Sequence, residues 1–99
     1  MKKIVNSVDS EIDIDRLYAW IYVNSPKNAL AFLDKIDSHY KTIGMFPKIC
    51  MPLTNKIDVQ TDLKYSISSP YVIITKHFPT YIEVYRVFHG KEDYLNKLF

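Results

Sequence analysis

Glycine is nearly missing from this chain: Gly44 and Gly90 are the only two in 99 residues. No glycine-rich loop can therefore cradle the phosphates of a nucleotide. Cys50 stands alone, which excludes an internal disulfide and any cysteine-based metal centre. His39, His77 and His89 fit no metal-ligand spacing, and neither HExxH nor CxxC occurs. No cofactor and no metal are expected. Apolar runs are short, far below the ~20 residues that span a bilayer. Lys2-Lys3 precede only Ile4-Val5, too little for the apolar segment of a secretion signal. With a single cysteine suited to a reducing compartment, the expectation is a cytoplasmic protein with no membrane partner. The net charge of +2 is too small for a nucleic-acid footprint, so no direct sequence-specific DNA binding is expected.

What is present suits one globular domain over residues 1–99. The chain is 47% hydrophobic and 24% charged, ordinary for a small protein with one core. Eight tyrosines add apolar bulk with polar tips, which favours half-buried surfaces and interfaces. Residues 1–63 balance eight cations against eight acids. The positive excess lies in the last third, where Lys64, Lys76, Arg86, Lys91 and Lys97 face Glu83, Glu92 and Asp93.

Two halves with different periodicity follow one another. Lys2 to Asn6 reads as a short edge strand. Ser7 offers a helix cap, and Ile14, Leu17, Tyr18 and Ile21 share one face of a helix from about Val8 to Asn24. Asp9, Glu11, Asp13 and Asp15 spread around that helix, as charges that compensate its dipole do. Ser25-Pro26 restarts the chain as a second helix over 26–43, with Ala29, Phe32, Leu33, Ile36, Tyr40 and Ile43 on its inner side. Gly44 suits the position after the helix end. So short a link makes an antiparallel hairpin. Residues 46–62 read mostly as loop. Period-two alternation begins at Leu63, and strands follow at about 63–68, 71–75 and 81–89. The predicted class is α+β: an N-terminal strand, a two-helix hairpin and a three-stranded antiparallel meander, about four strands with the helices on one sheet face. Residues 91–99 form a short helix that docks Tyr94, Leu95 and Leu98. Tyr71-Val72-Ile73-Ile74 lacks polar alternation, so both its faces seek cover. Unless the tail supplies that cover, a partner does.

The chemistry-bearing groups gather at the end of the last strand. Arg86, His89 and Tyr94 are the sharpest grouping, the candidates for catalysis were the protein a nuclease. On one reading Arg86 binds phosphate, His89 moves a proton and Tyr94 stacks on a base. On the other, Arg86 pairs with an acid of the helices or tail, His89 ends the strand and Tyr94 packs the tail down. Lys64, Lys76 and Lys91 complete the candidate binding set. Arg86 and His89 are an odd number apart, so a regular strand turns them to opposite faces unless a bulge intervenes.

Four segments, in order, resemble the RelE/ParE superfamily of bacterial toxins. Leu17-Tyr18-Ala19-Trp20-Ile21 is similar to the family's Ile-Trp-Asp-Tyr-Ile. Residues 26–36 are similar to Pro-x-x-Ala-x-x-Phe-x-x-x-Ile, and Phe46-Pro47-Lys48-Ile49 to Phe-Pro-x-x-Gly, with Cys50 in place of the glycine. Arg86-Val87-Phe88-His89-Gly90-Lys91-Glu92-Asp93 is similar to Arg-Val-x-His-Gly-x-Arg-Asp, with Glu92 where a basic residue is common. The ParE branch is the nearer. That resemblance implies the toxin of a type II toxin–antitoxin pair of the plasmid-stabilisation kind, which binds and inhibits DNA gyrase. It also implies a cognate antitoxin that folds on contact, with Tyr71 and Ile73 as the surface facing it. The alternatives are a RelE-like endoribonuclease acting on messenger RNA at the ribosome, or a non-toxic interaction module of the same fold.

Overall fold

The computed structural model describes all 99 residues. Ser7 makes its first reversal. The Ser7 hydroxyl accepts the Ser10 N–H at 3.0 Å and donates to the Tyr85 carbonyl at 2.8 Å. It thereby ends strand β1 (Lys3–Asn6) and begins helix α1 (Val8–Asn24). Ser25 serves both helices of the hairpin. Its N–H donates to the Ile21 carbonyl, and its hydroxyl accepts the Asn28 N–H at 3.2 Å. Pro26 then opens α2 (Pro26–Met45), where a missing N–H costs nothing.

Helix α2 runs past the expected end and carries Gly44 inside its last turn. The reason is a close approach. A Cβ at Gly44 would sit 2.9 Å from the Lys2 carbonyl oxygen, and the Gly44 carbonyl accepts the Lys2 N–H at 3.0 Å. Gly44 is thus a contact point for the N-terminal segment, and the cap falls at Phe46.

The sheet has five strands in the order β1-β5-β4-β3-β2. Strands β3 (Lys64–Ser68), β4 (Tyr71–His77) and β5 (Tyr81–His89) form the expected meander, and β1 adds to β5 in parallel. The fifth strand is β2, two residues (Met51–Pro52) inside the segment read as loop, paired antiparallel with β3. Short turns of 3-10 helix flank it at Pro47–Ile49 and Leu53–Asn55. No helix is long and apolar enough to cross a membrane.

Each face of this sheet has its own core. On the helix side Leu17, Phe32, Ile36 and Ile43 meet Tyr71, Ile73, Ile82, Val84 and Val87. On the other side Leu53 and Leu63 meet Val72, Ile74 and Phe88, and Tyr94, Leu95 and Leu98 of α3 (Tyr94–Leu98) close over them. The apolar run of β4 is therefore satisfied within the chain, and the tail leaves no open face there. Tyr71 and Ile73, expected to face an antitoxin, are 8% and 0% exposed beneath the hairpin. They are core residues because their side chains point to the helix side. Leu33 is also corrected. It remains 37% exposed, whereas Phe32 is 3% exposed and packs edge-on against Tyr71 at 4.8 Å.

Phe32→Ala should therefore lower stability by about 3–5 kcal/mol, whereas Leu33→Ala should cost less than about 1 kcal/mol. Urea midpoints of the two variants check this. Equal losses would mean that α2 is rotated on the sheet.

Candidate functional site: the free edge of the last strand

β1 stops at Asn6, opposite Val84, while β5 continues to His89. The last five of the nine residues of β5 thus have no strand on their outer side, and their edge N–H groups need other acceptors. Two carboxylates supply them. Asp13 of α1, 2% exposed, accepts the Val87 N–H at 2.9 Å. Glu92, in the turn after the strand, accepts the His89 N–H at 2.6 Å.

Asp13 also holds Arg86 in a two-pronged pair, Nε at 2.8 Å and Nη2 at 2.9 Å. The hydrogen bond to Asp13 is the main reason the guanidinium's pKa lies above its ordinary value. Asp13 is therefore no dipole-compensating surface charge. Burial first, and the Asp13 charge second, push the Tyr40 hydroxyl pKa upward.

A bulge at Tyr85 separates the pairs Thr75–Val84 and Ile74–Arg86. It explains why Val84 and Val87, three apart, share one core. Because it precedes Arg86, it leaves Arg86 and His89 on opposite faces. Arg86 lies over the Phe88 ring at 4.7 Å and wraps the strand edge to Asp13. His89 lies on the helix side, edge-on to Tyr71 at 5.7 Å and Trp20 at 6.3 Å.

The other predicted residues disperse. Lys64 and Lys76 belong to the opposite end of the sheet. Lys64 is level with Thr75, four rungs from the Ser68–Tyr71 pair that adjoins His89, or roughly 13 Å along the strands. Lys76 lies over the Phe78 ring at 5.6 Å. Tyr94 stacks on Phe88 at 5.8 Å and pins the tail. Of the predicted set only His89, Lys91 and Tyr94 still share a hollow, with Pro70 and Gly90, and of these His89 and Lys91 alone also reach α1. They line a cleft of about 360 Å³ with Arg16, Leu17, Trp20 and Glu92. Trp20 is the residue that sequence reasoning missed. Its signal is an aromatic just outside the Ile14–Leu17–Tyr18–Ile21 stripe, and it is 62% exposed.

His89 Nδ1 accepts the Lys91 N–H at 3.1 Å. In the neutral ring the proton then belongs to Nε2, so His89 is set to donate. Elsewhere the histidines are structural. His39 bonds the Ser66 hydroxyl and His77 the Thr75 hydroxyl; burial lowers the pKa of both rings. Cys50 is buried among the same hydroxyls, and burial pushes its thiol up despite them, the opposite of what a nucleophile needs.

An α-helical hairpin on a mixed five-stranded sheet, closed by a short tail helix, is the fold of a solved toxin–antitoxin component. A chain of the structure titled "Chromosomal ParDE TA system from P. aeruginosa" superposes with a TM-score of 0.71, covering 90% of this chain and 96% of that one at 13% identity. At that identity the likeness concerns the fold. No curated protein sequence matches. A sequence model of the family described as ParE toxin of type II toxin-antitoxin system, parDE, matches residues 7–94. The chain belongs to that family.

Two outcomes follow from the carboxylates. Asp13→Ala strands both Arg86 and the Val87 N–H, and should cost roughly 3–5 kcal/mol in urea denaturation. Adding Arg86→Met should recover only part, since the Val87 N–H still lacks its acceptor. Full recovery would reduce Asp13 to a charge partner. Glu92 gives a pH dependence. Partial burial alone would raise its carboxyl, but the His89 N–H, Lys97 and Arg16 outweigh burial and lower it below the usual 4.5. A depressed carboxylate contributes stability above its unfolded value and loses it as pH falls through the lower folded value. The stability gap between the parent and Glu92→Gln should be full at pH 6 and shrink steadily below about pH 4.5. A gap independent of pH would refute the assignment.

Proposed function

We propose that this ParE-family toxin acts by binding and inhibiting DNA gyrase, and that a cognate antitoxin neutralises it. The observation that carries the binding reading is the sequestration of Arg86. Cleavage of RNA at a 2′-hydroxyl needs a base, an acid and cations converging on one phosphate. Here the arginine is held by Asp13, the lysines 64 and 76 lie at the far end of the sheet, and Tyr94 is stacked on Phe88. His89 has its Nδ1 occupied and offers a donor. What remains suits recognition. A protein partner is also favoured by apolar side chains on the outside of the hairpin: Val8, Ile12, Val23 and Leu30 are each more than half exposed.

The test pairs two assays on one preparation. Supercoiling of relaxed plasmid by gyrase should stall, and messenger RNA recovered from ribosomes should read full length in primer extension. Adding the small protein encoded beside the toxin gene should restore supercoiling. Codon-positioned cuts that vanish in His89→Ala would instead install a RelE-like endoribonuclease. Intact RNA with unaffected gyrase would leave an interaction module of this fold.

A further inference from the structure

The cleft between α1 and the turn after β5 has an unusual polar inventory. Glu92 is heavily engaged: Oε2 accepts the His89 N–H and Arg16 Nη2, and Oε1 accepts Lys97 Nζ at 3.0 Å and lies 3.0 Å from the same Arg16 Nη2. Three hydrogen bonds thus fill most of the roughly four acceptor sites a carboxylate has. The only other side-chain acceptor, His89 Nδ1, is taken by the Lys91 N–H. The groups left uncommitted are the Lys91 ammonium, the remaining Arg16 N–H groups, His89 Nε2–H and the Trp20 indole N–H. All are donors. Charge agrees with them, since Arg16, Lys97 and Lys91 surround the single Glu92. The apolar part is equally defined, with Leu17 2% exposed at the base and the Trp20 ring 62% exposed at the rim.

A wall of donors beside an open indole fits an anion joined to an apolar group. We propose that this cleft receives an acidic peptide segment of a protein partner. An Asp or Glu carboxylate of that segment lies on Lys91, Arg16 and His89, and a neighbouring apolar side chain lies against Trp20. A peptide is favoured over a nucleic-acid strand on two grounds. A net charge of +2 provides little attraction for a polyanion. The cations that would follow a run of phosphates do not continue along the sheet, since Lys64 and Lys76 belong to its opposite end. This rests on reading the protein as a binder. It names the chemistry of what the site takes, and it does not depend on which partner is gyrase and which the antitoxin.

The experiment is an NMR titration of the isotope-labelled full chain, whose single tryptophan gives one indole signal. The probes are the capped peptide acetyl-Leu-Glu-Phe-Glu-Leu-amide, its Gln counterpart, and a short oligothymidylate. The acidic peptide should shift the Trp20 indole and the His89 and Lys91 amides saturably. The Gln peptide should bind about tenfold more weakly or worse, the size expected when a charge-assisted hydrogen bond becomes neutral. Lys91→Ala and Trp20→Ala should each weaken the acidic peptide by a similar factor, with the remaining amide spectrum unchanged. Four results overturn the proposal: no saturable shift, equal binding of the Gln peptide, shifts centred elsewhere, or oligothymidylate binding at the cleft in place of the peptide. A protein that leaves gyrase untouched yet binds the acidic peptide here keeps the inference and loses the gyrase reading. One that stalls gyrase but binds no acidic peptide does the reverse.

Discussion

The Asp13 carboxylate is the interaction on which the rest depends. Strand β5 is nine residues long and its outer neighbour β1 only four. The unmatched part is an open edge, with buried side chains on both faces and backbone donors on its side. Left bare, it would invite pairing with another chain. Asp13 satisfies the Val87 N–H, neutralises Arg86 and fixes α1 over the strand in a single contact. The geometry also decides the fate of the strand's arginine. A guanidinium held at both Nε and Nη2 by a nearly buried carboxylate is not free to meet a phosphate, because leaving would expose the carboxylate's charge to an apolar core.

The second constraint comes from the sheet's two cores. The helix hairpin covers one face with regular structure. The other face relies on Leu53 in a single turn of 3-10 helix, on Leu63 just before β3, and on a five-residue tail helix. Gly90 makes that economy possible. Its N–H donates to the Pro70 carbonyl at 2.7 Å, and a Cβ there would stand 3.0 Å from the same oxygen. The backbone can therefore pass close to the β3–β4 turn and carry Tyr94 onto Phe88. With Glu92 holding the strand end, Arg16 and Lys97 together, the tail is anchored at its base by charge and along its length by apolar contact.

Local signals were legible, and long-range ones were not. The 3.6 period of Ala29, Phe32 and Ile36, the Ser25-Pro26 restart and the alternation at Leu63–Ser68 are all contained within a few residues, so the hairpin and meander could be read directly. Met51–Pro52 could not, because a two-residue strand has no period. The role of Asp13 joins residues more than seventy positions apart, and among four acids in one helix nothing local distinguishes the one that points inward. Trp20 is a similar case. Its meaning depends on His89 arriving beside it from the last strand. Tyr71 and Ile73 looked available for a partner because the run around them was apolar on both sides. The correct inference from that pattern was a central strand between two covers.

The cations of this chain are divided between the two ends of the sheet and the edge of its last strand. A catalytic phosphate site needs its charges preorganised around one phosphate and gathered on one side. In this chain the best phosphate ligand by geometry, arginine with its fork, is Arg86, and it is consumed by the architecture of the strand edge. The bulge falls at Tyr85, before Arg86, so it does not turn Arg86 to the face of His89. His89 in turn receives a hydrogen bond where a base would need a free lone pair. Each of these features follows from closing the exposed end of β5. The donors left over at that end are those that can hold an anion in place.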